Sequence, residues 1–370
     1  MQARKIGVDA TALVAKPTGV GNYIRALLEP MVDLHPEAEF ILFSNEEVAF
    51  PSRPNVRTRV SQPKRRGPYW QNTQLRRMLS EERPHTYWAT NGLLPLLRPR
   101  GMGTVLTVHD LVYKFAPETL PTVSLWGRRL GQQAAVRAAD RVVVVSNATG
   151  VDAAQAYRRT PDAVIPPLAD PIFERPTRAV IEQVRHRLGL SSPYLLTLGT
   201  LEPRKNLVRL LDAYLRRRRA GVPLPTLALA GGKGWLDDDI GRLLAQGEAS
   251  GHVKRLGYVA LEDLPALYAG CDAFVMPSIY EGFGMPLLEA QLCGAAVIHG
   301  PHISMREAAG ELGAITPVDT AGIEGMLDQL AAGELAVNCR LPGDIVNDAT
   351  VAADRLWHLL METCGGATRP

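Results

Sequence analysis

Residues 268–298 read YAGCDAFVMPSIYEGFGMPLLEAQLCGAAVI, and the order of residue types in that run decides the fold. AFVMPS (273–278) is a short apolar run of strand length, Gly282 and Gly284 make a flexible turn, and a helical segment starts at Met285. Working outward, the same grammar recurs. KIGVDA (5–10), FILFS (40–44), TVLTVHD (104–110), RVVVVS (141–146), YLLTLG (194–199) and TLALAG (226–231) alternate with longer segments of helical period. Short β-branched runs separated by helices are the pattern of parallel βαβ units, so the expected fold class is layered α/β.

A chain of 370 residues is too long for one ordinary core and suits two domains. The stretch VIPPLADPIFERP (164–176) holds four prolines and breaks both periods, which places the linker there. The expected division is a first domain over 1–168, a second over 169–347, and a C-terminal helix within 348–370. That helix carries Val351, Leu356, Trp357, Leu359 and Leu360 on one side and is placed to cross back to the first domain.

Composition excludes several classes. With 46% hydrophobic and 21% charged residues the chain is a soluble globular protein, neither disordered nor fibrous. No apolar run has transmembrane length, and the opening MQARKIGVDATALV lacks the pattern of a signal peptide, so a cytoplasmic location is expected. Cys271, Cys293, Cys339 and Cys364 are widely spaced, suggesting neither a zinc site nor a disulfide framework. The net charge of +3 hides an asymmetry. Residues 1–170 carry 22 Lys/Arg against 15 Asp/Glu, and residues 171–370 carry 19 against 23. Part of the excess lies in KRRGPYWQNTQLRRM (64–78), where Lys64, Arg65, Arg66, Arg76 and Arg77 surround Tyr69, Trp70 and Leu75. That segment reads either as a patch for an anionic membrane surface or as a solvated loop and helix face. No nucleic-acid-binding motif accompanies it, so no nucleic-acid partner is expected.

Three local signals carry chemistry. KPTGVGNYIRALL (16–28) is a loop that opens an amphipathic helix, and Gly19 and Gly21 let a phosphate approach its N-terminal amides. A tight strand-to-helix turn is the plain alternative, and the third glycine of a dinucleotide fingerprint is missing. LGTLEPRKNL (198–207) ends a strand and offers Arg204 and Lys205, two cations at the edge where parallel sheets bind pyrophosphate. LAGGKGW (229–235) adds Gly232 and Lys233 on a loop whose backbone can approach a nucleotide, although the spacing is not that of a P-loop. Finally, Glu281 and Glu289 stand eight residues apart, too far to be one acid/base pair but well placed to touch different parts of one long ligand.

This last run resembles the E-x7-E signature of the retaining GT-B glycosyltransferases of family four. GVGNYIRALL, TVHDL, RVVVVSNAT, LGTLEPRKNL and GYVALEDLPALYAGCDAFVMPS occur in the family's order, so the likeness covers nearly the whole chain. The resemblance implies two Rossmann-like domains whose parallel sheets face a central cleft, an acceptor-binding first domain and a nucleotide-sugar-binding second one. It implies that Glu281 contacts the donor sugar near the reacting centre, that Glu289 holds the ribose hydroxyls, and that the backbone around Gly282, Phe283 and Gly284 faces the sugar. Arg204 and Lys205 would neutralise the leaving diphosphate, so that no metal ion is required, and His109 would line the reacting face with Asp110 beside it. Many relatives carry an Arg at the position of Thr200, a departure that leaves the cationic task to Arg204 and Lys205.

The motif variants are similar to those of bacterial mannosyl- and rhamnosyltransferases of O-antigen or exopolysaccharide assembly. The expected donor is therefore GDP-mannose, with rhamnosyl, glucosyl or N-acetylglucosaminyl donors as alternatives. The expected acceptor is an oligosaccharide or lipid-linked saccharide at the inner face of the cytoplasmic membrane. A nucleotide-sugar epimerase and a non-catalytic nucleotide-sugar sensor are the readings from other classes.

Overall fold

The computed structural model describes residues 4–15, 18–62, 67–120, 122–190, 193–232, 238–336 and 348–364. It divides into two compact units. The first takes in Met1–Lys114, Pro121–Leu168 and Asn347–Pro370, and the second takes in Phe115–Leu120 and Ala169–Val346. The main division thus falls between Leu168 and Ala169, inside the proline-rich stretch. Residues 115–120 group with the second unit, although the sequence places them in the first domain. The Phe115 ring stacks on Tyr280, with centroids 5.9 Å apart and planes 7° from parallel.

Each unit is a parallel sheet. The first contains β1 (Lys5–Asp9), β2 (Glu39–Ser44), β3 (Val56–Val60), β4 (Thr86–Ala89), β5 (Gly103–Val108), β6 (Arg141–Val144) and β7 (Ala163–Val164). They lie in the order β3-β2-β1-β4-β5-β6-β7. The second contains β8 (Tyr194–Leu198), β9 (Thr226–Ala230), β10 (Val253–Gly257), β11 (Ala273–Met276), β12 (Val297–His299) and β13 (Ala314–Ile315). Their order is β10-β9-β8-β11-β12-β13. Helices cover both faces of such sheets, so the inner strands are apolar on every side chain rather than alternately. Ile6, Val8, Val105, Leu106 and Val108 in the first unit, and Leu195, Leu196, Phe274 and Val275 in the second, are all fully buried.

The strand orders fix where ligands can go. In both sheets the chain builds outward in one direction, then returns to the centre and builds in the other, which reverses at β1/β4 and at β8/β11. At such a switch point the connections leave the carboxyl ends in opposite directions and open a crevice.

The Ala349–Glu362 helix belongs to the first unit. Asp348 caps it by accepting from the amides of Thr350 at 2.9 Å and Val351 at 3.1 Å. Its buried stripe is Ala353, Leu356, Trp357 and Leu360, the 3- and 4-residue spacing of one helical face. Val351, expected on that face, is 64% exposed because it lies off this spacing. The Trp357 ring stacks on His35 at the end of the Gly19–Leu34 helix, with centroids 3.7 Å apart. The Thr86 hydroxyl of β4 donates to the Leu360 carbonyl at 3.0 Å. Trp357→Ala removes the largest ring of this contact and should lower the stability of the first unit by about 3 kcal/mol. Chemical denaturation measures this, and a loss below about 1 kcal/mol would mean that the ring does not hold the helix in place.

Candidate functional site

Within the second unit, Arg204 and Lys205 lie on the single turn Pro203–Lys205 just past β8, and Glu281 lies on the loop past β11. These strands are the pair at which the sheet order reverses, so the switch point brings together three residues that the sequence spreads over almost eighty positions. The backbone closes the two loops on each other. The Ile279 amide donates to the Arg204 carbonyl at 2.9 Å, and the Arg204 guanidinium donates to the Tyr280 carbonyl at 2.9 Å.

The side chains form an ion-paired cluster. Lys205 Nζ donates to Glu281 Oε1 at 2.7 Å, and Arg204 pairs with both Glu281 and Glu202. Two cations therefore face two carboxylates, so the cluster is formally neutral. Burial alone would raise the Glu281 carboxyl. The Arg204 and Lys205 charges and their hydrogen bonds outweigh it and hold the group down at about 2. Glu281 is thus a carboxylate throughout the physiological range. Its backbone is pinned from the other side, where the Ser304 hydroxyl donates to the Glu281 carbonyl at 2.7 Å.

Glycine has a specific task beside this cluster. Gly199, at φ +147°, follows β8, and a Cβ there would meet Lys205 Cε at 3.3 Å. Gly231, at φ +143°, follows β9, and a Cβ there would sit 2.0 Å from the Gly199 carbonyl oxygen. Gly231 of the LAGG loop is therefore needed for a backbone-to-backbone approach that packs two strand ends together. Gly232 has open space around it, and its carbonyl accepts from the Leu201 amide at 3.3 Å. Lys233 lies outside the described residues.

Gly284, at φ +113°, precedes the Met285–Leu292 helix, which starts where the sequence predicts. Gly282 is partly exposed, and the Phe283 side chain packs against the hydrophobic core of the unit. Glu289 lies inside that helix and accepts from the Tyr268 hydroxyl at 3.0 Å. Burial pushes its carboxyl up to about 7, opposed by the Tyr268 bond and assisted by the nearby Asp170 charge. The two glutamates are therefore opposites: Glu281 is firmly ionised, whereas Glu289 titrates near neutrality.

The remaining sequence candidates lie in the first unit. Gly19 begins the Gly19–Leu34 helix, Gly21 is buried in its first turn, and no side chain caps that turn. His109 follows β5. Its Nε2 is 2.7 Å from the Thr90 carbonyl, and its ring meets the edge of Tyr23 at 5.0 Å. Asp110 Oδ1 accepts from the Val112 amide at 3.3 Å, so it starts the short Val112–Phe115 helix.

The basic segment looks different in three dimensions. Trp70 and Leu75 are 3% and 0% exposed and belong to the core, leaving Tyr69 as the exposed member of the apolar trio. Arg76 and Arg77 are exposed, while Lys64, Arg65 and Arg66 lie outside the described residues. Among the described residues no helix is long and apolar enough to cross a membrane. Glu202, Ser304 and Tyr268 are the site residues that sequence reasoning missed. Glu202 stood two places before Arg204 and Tyr268 opened the 268–298 run, both inside quoted motifs, but nothing local marked Ser304.

Comparison with known proteins agrees with this geometry. Residues 17–172 match the family described as Glycosyltransferase Family 4, and residues 181–322 match Glycosyl transferases group 1. The chain is 32% identical over 257 residues to the O-antigen chain mannosyltransferase B of Escherichia coli. That match takes in 68% of this chain and 66% of the relative, just under two thirds of its length. It is 29% identical to the GDP-mannose-dependent alpha-(1-6)-phosphatidylinositol monomannoside mannosyltransferase of Mycolicibacterium smegmatis, over 78% of this chain and 75% of that one. Its fold is similar to that of Anabaena HepE, solved in complex with UDP and glucose. There the TM-score is 0.71 at 20% identity, covering 97% of this chain and all of the other.

The Glu289 environment makes a prediction. A carboxyl raised from 4.5 to about 7 on folding favours the folded state below the unfolded value, and that contribution is lost as pH rises through 7. Glu289→Gln cannot ionise and escapes the loss, so between pH 5 and pH 8 it should gain roughly 2 kcal/mol on the native chain. Denaturation at the two pH values checks this, and a pH-independent difference would refute the burial account.

Proposed function

Because the chain belongs to the group 1, family 4 glycosyltransferases of GT-B architecture, we propose that it moves mannose from GDP-mannose onto an oligosaccharide or lipid-linked saccharide, with retention at the anomeric carbon. The observation that carries the reading is the cluster of Arg204, Lys205 and Glu281 at the β8/β11 switch point. The mannosyltransferase relatives, one of them GDP-mannose-dependent by name, favour this donor over UDP-sugars. O-antigen or exopolysaccharide assembly is the setting that the Escherichia coli relative suggests.

The chemistry follows from charge. Breaking the bond from anomeric carbon to phosphate leaves negative charge on the diphosphate and oxocarbenium character on the sugar. Lys205 and Arg204 stabilise the first, in place of a metal ion. Paired with Glu281 before ligand arrives, they are already positioned and stripped of most of their water. The diphosphate then shares them with Glu281 rather than recruiting them from solvent. Glu281, held ionised, is a positioning and electrostatic group beside the sugar and is not assigned a covalent role. The backbone of Gly282 to Gly284 contacts the sugar hydroxyls. Glu289 accepts from the ribose hydroxyls, which its ionised form does best. In the first unit His109 lines the sugar side, and the amides at Gly19 and Gly21 serve the phosphates or acceptor. The acceptor hydroxyl attacks the face from which the diphosphate leaves, and a diphosphate oxygen takes its proton. A peripheral contact with anionic lipid would use Tyr69, Arg76 and Arg77, all on the surface.

The test combines donor choice with one substitution. In a thermal-shift series GDP and GDP-mannose should stabilise the chain more than UDP or ADP and their sugars. Lys205→Ala should lower kcat by about 100-fold or more with its fold intact, while Lys205→Arg recovers part of the rate. NMR of the product reads the anomeric outcome. Near-normal turnover of folded Lys205→Ala would remove the proposed electrostatic role, and an inverted product would end the retention assignment.

A further inference from the structure

The Glu289 carboxyl is reached from three other elements of the second unit. Tyr268, on the Leu264–Ala269 helix, donates its hydroxyl to Oε2 at 3.0 Å. Asp170, on the turn just past the proline-rich junction, and Lys205, on the turn past β8, bring charges of opposite sign near it. Cys293 stands at the end of Glu289's own helix, and burial pushes its thiol up to about 12, so it carries no charge at neutral pH. Glu174 and Arg175, further along the junction segment, act on that thiol.

We propose that Tyr268 is a positioning residue for the nucleotide-sugar, holding one oxygen of Glu289 so that the other meets a ribose hydroxyl, and that Asp170 opposes it by repelling the ionised carboxylate. The inference rests on the glycosyl-transfer reading above and deepens it, by naming what sets the grip on the ribose and makes that grip depend on pH.

Three observations support it. First, the two oxygens of Glu289 differ. Oε2 is taken by Tyr268, while among the described residues Oε1 has no hydrogen-bond partner and the side chain is partly exposed. One oxygen is anchored and the other is open to a donating hydroxyl. Second, the anchor cannot turn away. Tyr268 is fully buried, with its ring set edge-on to Phe274 at 5.2 Å and to Phe173 at 6.1 Å between centroids. Burial, assisted by the Glu289 charge, keeps its hydroxyl protonated well above the ordinary tyrosine range, so it remains a donor. Third, two influences of opposite sign meet at one carboxyl. Against the upward push of burial, the Tyr268 bond and the Lys205 charge favour the ionised form, and Asp170 disfavours it. Asp170 is itself fixed, because its Oδ1 accepts from the Ile172 amide at 3.0 Å and its carbonyl accepts from the Phe173 amide at 3.0 Å. One turn therefore carries both the ring that packs on Tyr268 and the charge that works against it.

The experiment is calorimetric titration of the full chain with GDP-mannose, UDP-glucose and ADP-glucose from roughly pH 5.5 to pH 8.5. Their diphosphates have no ionisation in that range, so a pH dependence belongs to the protein. Carbon NMR of the glutamate carboxyls follows Glu289 in the free chain, its signal identified by loss in Glu289→Gln. In the native chain the affinity for whichever nucleotide-sugar binds should rise as pH passes through about 7. Tyr268→Phe keeps both ring contacts, yet should weaken binding about fivefold at the alkaline end. It should also move the midpoint up by about half a pH unit, and Asp170→Asn, which keeps the bond from the Ile172 amide, should move it down by a similar amount. Thermal denaturation reports that both variants remain folded. Native-like binding by Tyr268→Phe, weakened binding with an unmoved midpoint, or movement in the same direction by both variants would overturn the proposal. If no nucleotide-sugar binds, the glycosyl-transfer reading falls and the ribose contact with it, whereas opposite movements of the carboxyl signal in the free chain would still assign the balance at Glu289 to Tyr268 and Asp170.

Discussion

Parallel strands cannot be joined by a tight turn, and that requirement governs the rest of this molecule. Each connection must cross a face of the sheet, and a sheet that grows first in one direction and then in the other leaves two central strands whose connections part at their carboxyl ends. Both units do this, at β1/β4 and β8/β11. Asp9 and Asn91 flank the first gap, Lys205 and Glu281 the second. Asp9 and Glu281, two carboxyls that burial and neighbours move from their ordinary values, therefore lie where topology leaves room for a ligand.

The two gaps are furnished differently. At β8/β11 a buried carboxylate is matched by two cations, one of which also pairs with Glu202. Burying such a group costs several kcal/mol unless its partners remain, so removing a single partner is expected to be worse than never having had the pair. In the proposed reading this arrangement would suit an anionic ligand, because the cations are fixed before it arrives and the loss of their hydration has been met in folding. At β1/β4 the buried carboxylate is satisfied by neutral donors from Thr11 and Asn91.

Much of this was legible in the sequence, for reasons that are local. Continuous apolar runs such as RVVVVS and TLALAG report strands buried on both faces, and the glycine at 284 marks the helix start at Met285. Arg204, Lys205 and Glu281 could be singled out because they sit just past strand ends, where the structure brings them together. What was not legible depends on orientation. Trp70 and Leu75 looked like part of an interfacial patch, yet the helical turns over Gly67–Leu75 direct both into the core. Val351 looked like part of the C-terminal apolar face and points outward. Arg204 and Lys205 read as cations waiting for phosphate, and their pairing with Glu281 needed the β8/β11 adjacency that no spacing reveals. Asp9 was invisible for the same reason, since a lone carboxylate at a strand end means little until Asn91 and Thr11 are brought beside it.

The glycines beside β8 and β9 show how narrowly the second gap is specified. Gly231 must lack a side chain because the Gly199 carbonyl lies 2.0 Å from where its Cβ would be, while at Gly199 the backbone conformation calls for glycine and Lys205 lies close over it. Both adopt φ values that other residues rarely tolerate, so a substitution carries backbone strain, and at Gly231 a backbone clash as well. The lysine is thereby held from below by backbone and from above by Glu281, leaving its ammonium little freedom to wander. In the proposed reading, a charge confined in this way would lose little further entropy when a diphosphate replaces part of its partner, which is what would separate it from a surface lysine of equal charge.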